Sequence, residues 1–218
     1  NLLTIAERPF DLEGLLVKWK DDSKLGSRLE SLQHNIELRL NEVNLDRKQQ
    51  QPLNSAQARQ GARLLAAAVT LTGEAGILVP DQTPEKVGID AEKVLRDWHP
   101  NDVKALLERG LFNDIIYGAV RFRHREIREL LTAEWFYSLV DTGNSRCAVE
   151  SLIFKDQYGE QVVTPRLRPI LPWLILFDPP IRKKALALHP EIAVEGGDIA
   201  CLPLNERKRI LVDIVRRI

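Results

Sequence analysis

The stretch Tyr117-Gly-Ala-Val-Arg-Phe-Arg-His124-Arg-Glu-Ile-Arg-Glu-Leu-Leu-Thr-Ala-Glu-Trp-Phe136 decides how this chain is read. Val120-Arg-Phe122 alternates apolar with charged residues, the period of a half-buried strand. The alternation stops at His124 and a helical pattern begins, running to about Val140 and closed by Gly143. His124 therefore stands where a strand becomes a helix. The free N–H groups of a helix's first turn and the positive end of its dipole meet at such a junction, which suits it to anions and phosphate.

Outward from this point the elements are short and mostly helical. Upstream, Leu111 to Phe122 reads as a two-stranded hairpin, its turn at Asn113-Asp114 or at Tyr117-Gly118. Before it come a short helix from Asp102 to Arg109, a helix capped by Asp90, a strand signal at Gly76-Ile-Leu-Val79 and an alanine-rich helix from Ser55 to Leu71. Asn54 starts that alanine-rich helix and Gly73 ends it. The order helix, strand, helix, helix, hairpin is that of a winged helix-turn-helix. Further upstream, Ser27-Arg-Leu-Glu30 has the spacing of a capping box, and Leu25, Leu29, Leu32, Ile36 and Leu40 form one apolar face, with His34 opposite. Helices are also expected at Leu2 to Glu7 and from Asp11 through Trp19, broken by Arg8-Pro9. Downstream, Ala148 to Phe154, Leu167 to Phe177, Ile181 to Leu188, Ile192 to Val194 and Asn205 to Ile218 are amphipathic pieces separated by Pro, Asp and Gly, as in a HEAT-like α-solenoid. The expectation is a mainly α chain: a helical domain over residues 1–50, a winged helix-turn-helix with a small β-hairpin over 51–143, and HEAT-like α-solenoid helices over 144–218.

The segment Phe122-x-His124-x-x-x-x-Glu129-Leu-Leu-Thr-Ala133 resembles the "F-x-H-x-x-x-x-E-(F/Y)-L-A-A" element of the winged-helix domain in signal-transducing NTPases of the NACHT type, the STAND class. It departs from that pattern at Leu130-Leu-Thr-Ala133, where the family has an aromatic residue, leucine and two alanines. Arg8-Pro-Phe-Asp-Leu-Glu-Gly-Leu15 is similar to the family's opening of its first helical domain. The resemblance implies that His124 contacts the β-phosphate of a bound nucleotide and that the Pro9 ring packs on adenine. The cofactor would be ATP or ADP in the full-length protein, with none bound by this chain alone. It further implies that the chain follows a nucleotide-binding domain in the same protein, forms a homo-oligomer on activation, and works in the cytoplasm in bacterial antiviral defence or signalling. The C-terminal stretches are similar to the helical arrays that follow NACHT modules.

Composition and motif spacing narrow the field. In 218 residues, 44% are hydrophobic and 28% charged, enough to bury a core and ordinary for a soluble protein. Net charge is zero, so no global field draws the chain to nucleic acid or anionic lipid. Its longest apolar run, Ile170 to Phe177, is too short for a membrane span. None of the twelve glycines precedes a lysine, so no P-loop is present and the chain itself is not expected to be an enzyme. His34, His99, His124 and His189 are scattered without metal-ligand spacing, and no hydrolase nucleophile motif occurs. Other carboxylates are expected on solvated helix faces. Cys147 and Cys201 fit buried free thiols in a reducing cytosol better than one disulfide. The absence of methionine, together with ends that fall inside helical patterns, suggests an excerpt of a longer protein. Two other classes remain: a winged-helix nucleic-acid-binding regulator and a passive helical scaffold. Against the first, Asn101 to Arg109, the recognition helix, balances Asp102 and Glu108 with Lys104 and Arg109. In its favour, Arg121, Arg123 and Arg125 line the wing.

Overall fold

Ser27 closes the capping box that the sequence anticipates. Its hydroxyl accepts from the Glu30 N–H at 3.1 Å, and the Glu30 carboxylate accepts from the Ser27 N–H at 2.9 Å. Helix α1 follows, Arg28–Leu40. This computed structural model describes residues 26–41, 53–81, 87–141 and 145–217, together with Leu12, Leu16, Trp19 and Lys20. The expected helix at Leu2 to Glu7, the Arg8-Pro9 break and residues 42–52 lie outside the described residues.

The chain is mainly α. Helix α2, Ser55–Thr72, is started by the Asn54 side chain, which accepts from the Gln57 N–H, and stopped by left-handed Gly73. Strands β1 (Ile77–Leu78) and β2 (Ile89–Asp90) pair in parallel. Asp90 accepts from the N–H groups of Glu92 and Lys93 to start α3, Ala91–Val94. Helix α4 spans Pro100–Leu107, two residues earlier than expected. It starts early because His99 Nδ1 accepts from the Asn101 N–H, and Pro100 at the first helical position sacrifices no hydrogen bond.

The hairpin turn falls at Tyr117-Gly118, with φ of 54° and 73°. Ile116 and Ala119 exchange both backbone hydrogen bonds across it, as a two-residue turn with two positive φ values requires. Strand β3, Ala119–Val120, then pairs antiparallel with β1 and completes a sheet in the order β2-β1-β3.

Helix α5, Arg125–Asp141, is the centre of the packing. Leu130, Leu131, Thr132, Ala133 and Glu134 are buried consecutively, so neighbours surround the helix on all sides. Its most extensive contact is with α2, whose Ala58, Ala62 and Ala66 let the two backbones approach closely. The remaining elements are α6 (Arg146–Ile153), β4 (Phe154–Gln157), β5 (Glu160–Val163), α7 (Leu171–Phe177), α8 (Pro179–Leu188), α9 (Ile192–Glu195) and α10 (Leu204–Val215). Helix α7 lies against α5, α8 and α9 and buries Trp173 almost fully. The region expected to be purely helical therefore contains a hairpin, β4–β5, turned at Tyr158-Gly159. No described helix is long and apolar enough to cross a membrane.

Several polar residues depart from expectation. Cys147 and Cys201 are free, as anticipated, but exposed rather than buried. His34 is half-buried instead of on a solvated face. Glu129, Glu134, Asp178 and Asp198 are buried. Each finds a cation or backbone donor there, as buried charge requires. Glu134 takes both Arg59 and Arg63, with Arg63 Nε at 2.7 Å. Asp178 takes Arg146 through both oxygens, at 3.2 and 2.8 Å, and accepts the Ile181 N–H at 2.8 Å.

Arginines also close the carboxyl ends of helices from a distance. Arg109 donates to Leu40 O at 2.8 Å at the end of α1, and Arg166 to Leu71 O at 2.8 Å in the last turn of α2. Arg217 donates to Leu188 O at 2.6 Å and Ala187 O at 2.8 Å at the end of α8. A cation there satisfies orphan carbonyls and meets the negative end of the dipole.

Candidate functional site

The strand–His124–helix junction is built by backbone pairing on one side and core packing on the other. Phe122 bridges to Phe112 across the hairpin, and their rings stack with centroids 4.8 Å apart. The Arg121 N–H donates to the Asn113 side chain at 2.6 Å, and the Arg123 N–H to Leu111 O at 2.9 Å. These bonds carry the extended chain to its last residue before α5. There His124 O accepts the Arg128 N–H at 3.3 Å, so His124 occupies the N-cap position of α5. Its side chain is half-buried. Ile127, Leu130 and Leu131 anchor the following turns in the core, fixing the direction in which the helix N-terminus points.

The arginines near His124 are unequal. Arg123 donates Nε to Phe112 O at 2.6 Å and lies 3.5 Å from Asp114. Arg125 donates Nε to Glu129 at 2.5 Å, and Arg28 donates to Glu126 at 2.7 Å. Burial pushes the Glu129 carboxyl above the usual carboxylate range, and Arg125 draws it part of the way back. The anticipated wing arginines Arg121, Arg123 and Arg125 are all exposed, but two of them are paired, Arg123 with Phe112 O and Asp114 and Arg125 with Glu129. The anticipated recognition helix is altered as well. Arg109 is buried and turned to Leu40 O, leaving Lys104 against Asp102 and Glu108.

The Thr132 hydroxyl donates to Arg128 O at 2.8 Å and lies 3.1 Å from the Thr70 hydroxyl. A polar group is accommodated there because the α2–α5 contact supplies partners.

No family model, curated protein or solved structure matches this chain.

The other candidate residues separate in space or in kind. Pro9 lies outside the described residues. His99 caps α4, and His189 Nδ1 lies 3.0 Å from Glu191, which also binds Arg168. Among the described residues, no group of three or more His, Cys, Asp or Glu is arranged to hold a metal ion. Two residues that sequence reasoning passed over, Arg28 and Asp198, meet at the N-terminus of α1, from which Arg28 reaches Glu126 of α5. Gly196-Gly197-Asp198 carries a turn signal but nothing that names its partner. The junction offers an imidazole at a helix N-terminus, a combination able to donate hydrogen bonds to an anion.

Proposed function

We propose that this chain is the regulatory helical and winged-helix portion of a STAND, NACHT-type ATPase. In this reading it closes over ADP or ATP held by a preceding nucleotide-binding domain and couples target sensing to homo-oligomerisation in bacterial defence or signalling. The observation that carries the reading is His124 at the N-cap of α5, at the end of the hairpin strand. The order α2, β1, β2, α3, α4, hairpin is compatible with a winged helix-turn-helix, which supports it. In this reading helices α7 to α10 are the start of a HEAT-like array; α7 packs against α5. The chain contributes no catalysis. His124 donates to the β-phosphate and Pro9 packs on adenine while ADP is bound, and exchange for ATP changes those contacts. A nucleic-acid role is disfavoured by the burial of Arg109 against Leu40 O and by the pairing of Arg123 and Arg125 with acceptors of this chain.

The test is titration calorimetry of ATP and ADP on the full-length protein, wild type against His124→Ala. Loss of one charge-assisted contact to phosphate should weaken binding by about 1.5–3 kcal/mol, roughly ten- to a hundredfold, and more for ADP than for ATP. Equal affinities would refute the reading.

A further inference from the structure

The N-terminus of α1 is held by segments that lie about a hundred and about 170 residues away in the chain. Arg28, the first helical residue, donates to Glu126 Oε1 at 2.7 Å and reaches Gly197 O at 3.4 Å. Its guanidinium carbon also lies 5.8 Å from the centre of the Trp173 ring. One residue further on, the Leu29 N–H donates to Asp198 Oδ2 at 2.9 Å. Asp198 is buried. Burial alone would raise its carboxyl, but the Leu29 N–H and other hydrogen bonds outweigh burial and hold it below the usual carboxylate range. Gly197 has φ +66°, and a Cβ there would come within 2.1 Å of Pro172 O, so the Gly197-Asp198 backbone is seated directly against α7.

Glu126 stands two residues after His124, in the first turn of α5. Asp198 and Glu126 therefore both act on the same turn of α1, one through its backbone and one through the Arg28 side chain. We propose that this joint couples the C-terminal segment Gly196 to Leu202 to the His124 end of α5. Asp198 sets the position of the α1 N-terminus, Arg28 transmits that position to Glu126, and displacement of the C-terminal segment loosens the first turn of α5. As regulation of the His124 site, the coupling rests on the function proposed above. As a mechanical link, it stands on the contacts alone.

Hydrogen exchange read by mass spectrometry on the full-length protein, without nucleotide, tests the link. Asp198→Asn keeps the side chain's size and removes its charge. It should speed exchange about three- to tenfold at amides 29–32, where a charged acceptor for Leu29 becomes a weaker neutral one, and also at amides 128–131 of α5. Asp198→Ala should give the same pattern more strongly. Adding Arg28→Gln should abolish the effect of Asp198→Asn on amides 128–131, because Arg28 is the connecting side chain. The proposal is overturned if Asp198→Asn changes amides 29–32 alone, or if its effect on 128–131 persists with Arg28→Gln. If Asp198→Ala also opens α2, the milder Asp198→Asn decides. A normal exchange link beside unchanged nucleotide affinity of His124→Ala would support the joint and refute the nucleotide reading, so the two fail separately.

Discussion

Gly197→Ala perturbs a close approach of backbone to backbone, and its cost can be worked from geometry. A Cβ at Gly197 would lie 2.1 Å from Pro172 O and 2.6 Å from Pro172 C, more than an ångström inside ordinary contact. Both are backbone atoms, so no side-chain rotation relieves the overlap. The left-handed φ of +66° adds about 1–2 kcal/mol for a residue with a Cβ. Forced displacement of packed structure adds about 1–3 kcal/mol. Reduced freedom of the unfolded chain returns about 0.4–1 kcal/mol. The net expectation is a loss of about 3 kcal/mol, or roughly 6–12 °C in Tm for a domain of this size. Gly196→Ala is the control. Its backbone is extended at φ 175°, and its Cβ would meet Pro172 Cβ at 3.6 Å, an ordinary contact. Its effect should stay within about 1 kcal/mol. Urea unfolding of the wild type and both variants separates the two positions. Similar stabilities for Gly196→Ala and Gly197→Ala would refute the seating of Gly197 against Pro172.

Gly61→Ala should destabilise by about 1–2 kcal/mol despite alanine's better helix propensity, because its Cβ would fall 2.6 Å from the Trp98 ring and 2.7 Å from Leu106 Cδ2; an increase in urea midpoint would contradict this packing. Arg109→Leu should cost about 2–4 kcal/mol by leaving the buried Leu40 and Leu53 carbonyls without their guanidinium donor, and unchanged thermal unfolding would show those bonds to be dispensable. Asp178 is buried, which alone would raise its carboxyl, but Arg146 and the Ile181 N–H hold it below the usual carboxylate range. Its contribution to stability is therefore complete above its unfolded pKa of about 3.9 and is lost as pH falls through the lower folded value. The stability difference between wild type and Asp178→Asn should shrink as pH drops below about 4 in urea titrations, and a difference that grows on acidification would reverse the assigned sign.

The elements legible in the sequence are those whose chemistry is local. Ser27 with Glu30, Asn54, Gly73 and Asp90 each act on a backbone group within four residues, so spacing alone identifies them. Tyr117-Gly118 offered a hairpin turn on equal terms with Asn113-Asp114. The pairing of β3 with β1 accompanies the Tyr117-Gly118 choice, placing Val120 opposite Ile77 in the core. The sequence pattern starts α4 at Asp102, and the side-chain cap of His99 places the start at Pro100. The β4–β5 hairpin escapes the sequence, because its exposed strands carry no alternating apolar signal.

By itself, the sequence determined a mainly α chain, the local caps and breaks, and a histidine at the junction of strand and helix. Short-range hydrogen bonds and apolar periodicity settle those features without reference to distant residues. Only the tertiary structure decided which charges are buried and what they hold. Glu134 lies between Arg59 and Arg63, Arg109 lies on Leu40 O, and Asp198 lies on the Leu29 N–H. The partners in these bonds are 56 to 169 residues apart, counting the Arg109 bond to Leu53 O. A charged side chain reads the same in sequence whether it faces water or an unpaired backbone group. The cost of desolvating it is offset only where packing delivers the partner, and that delivery belongs to the fold.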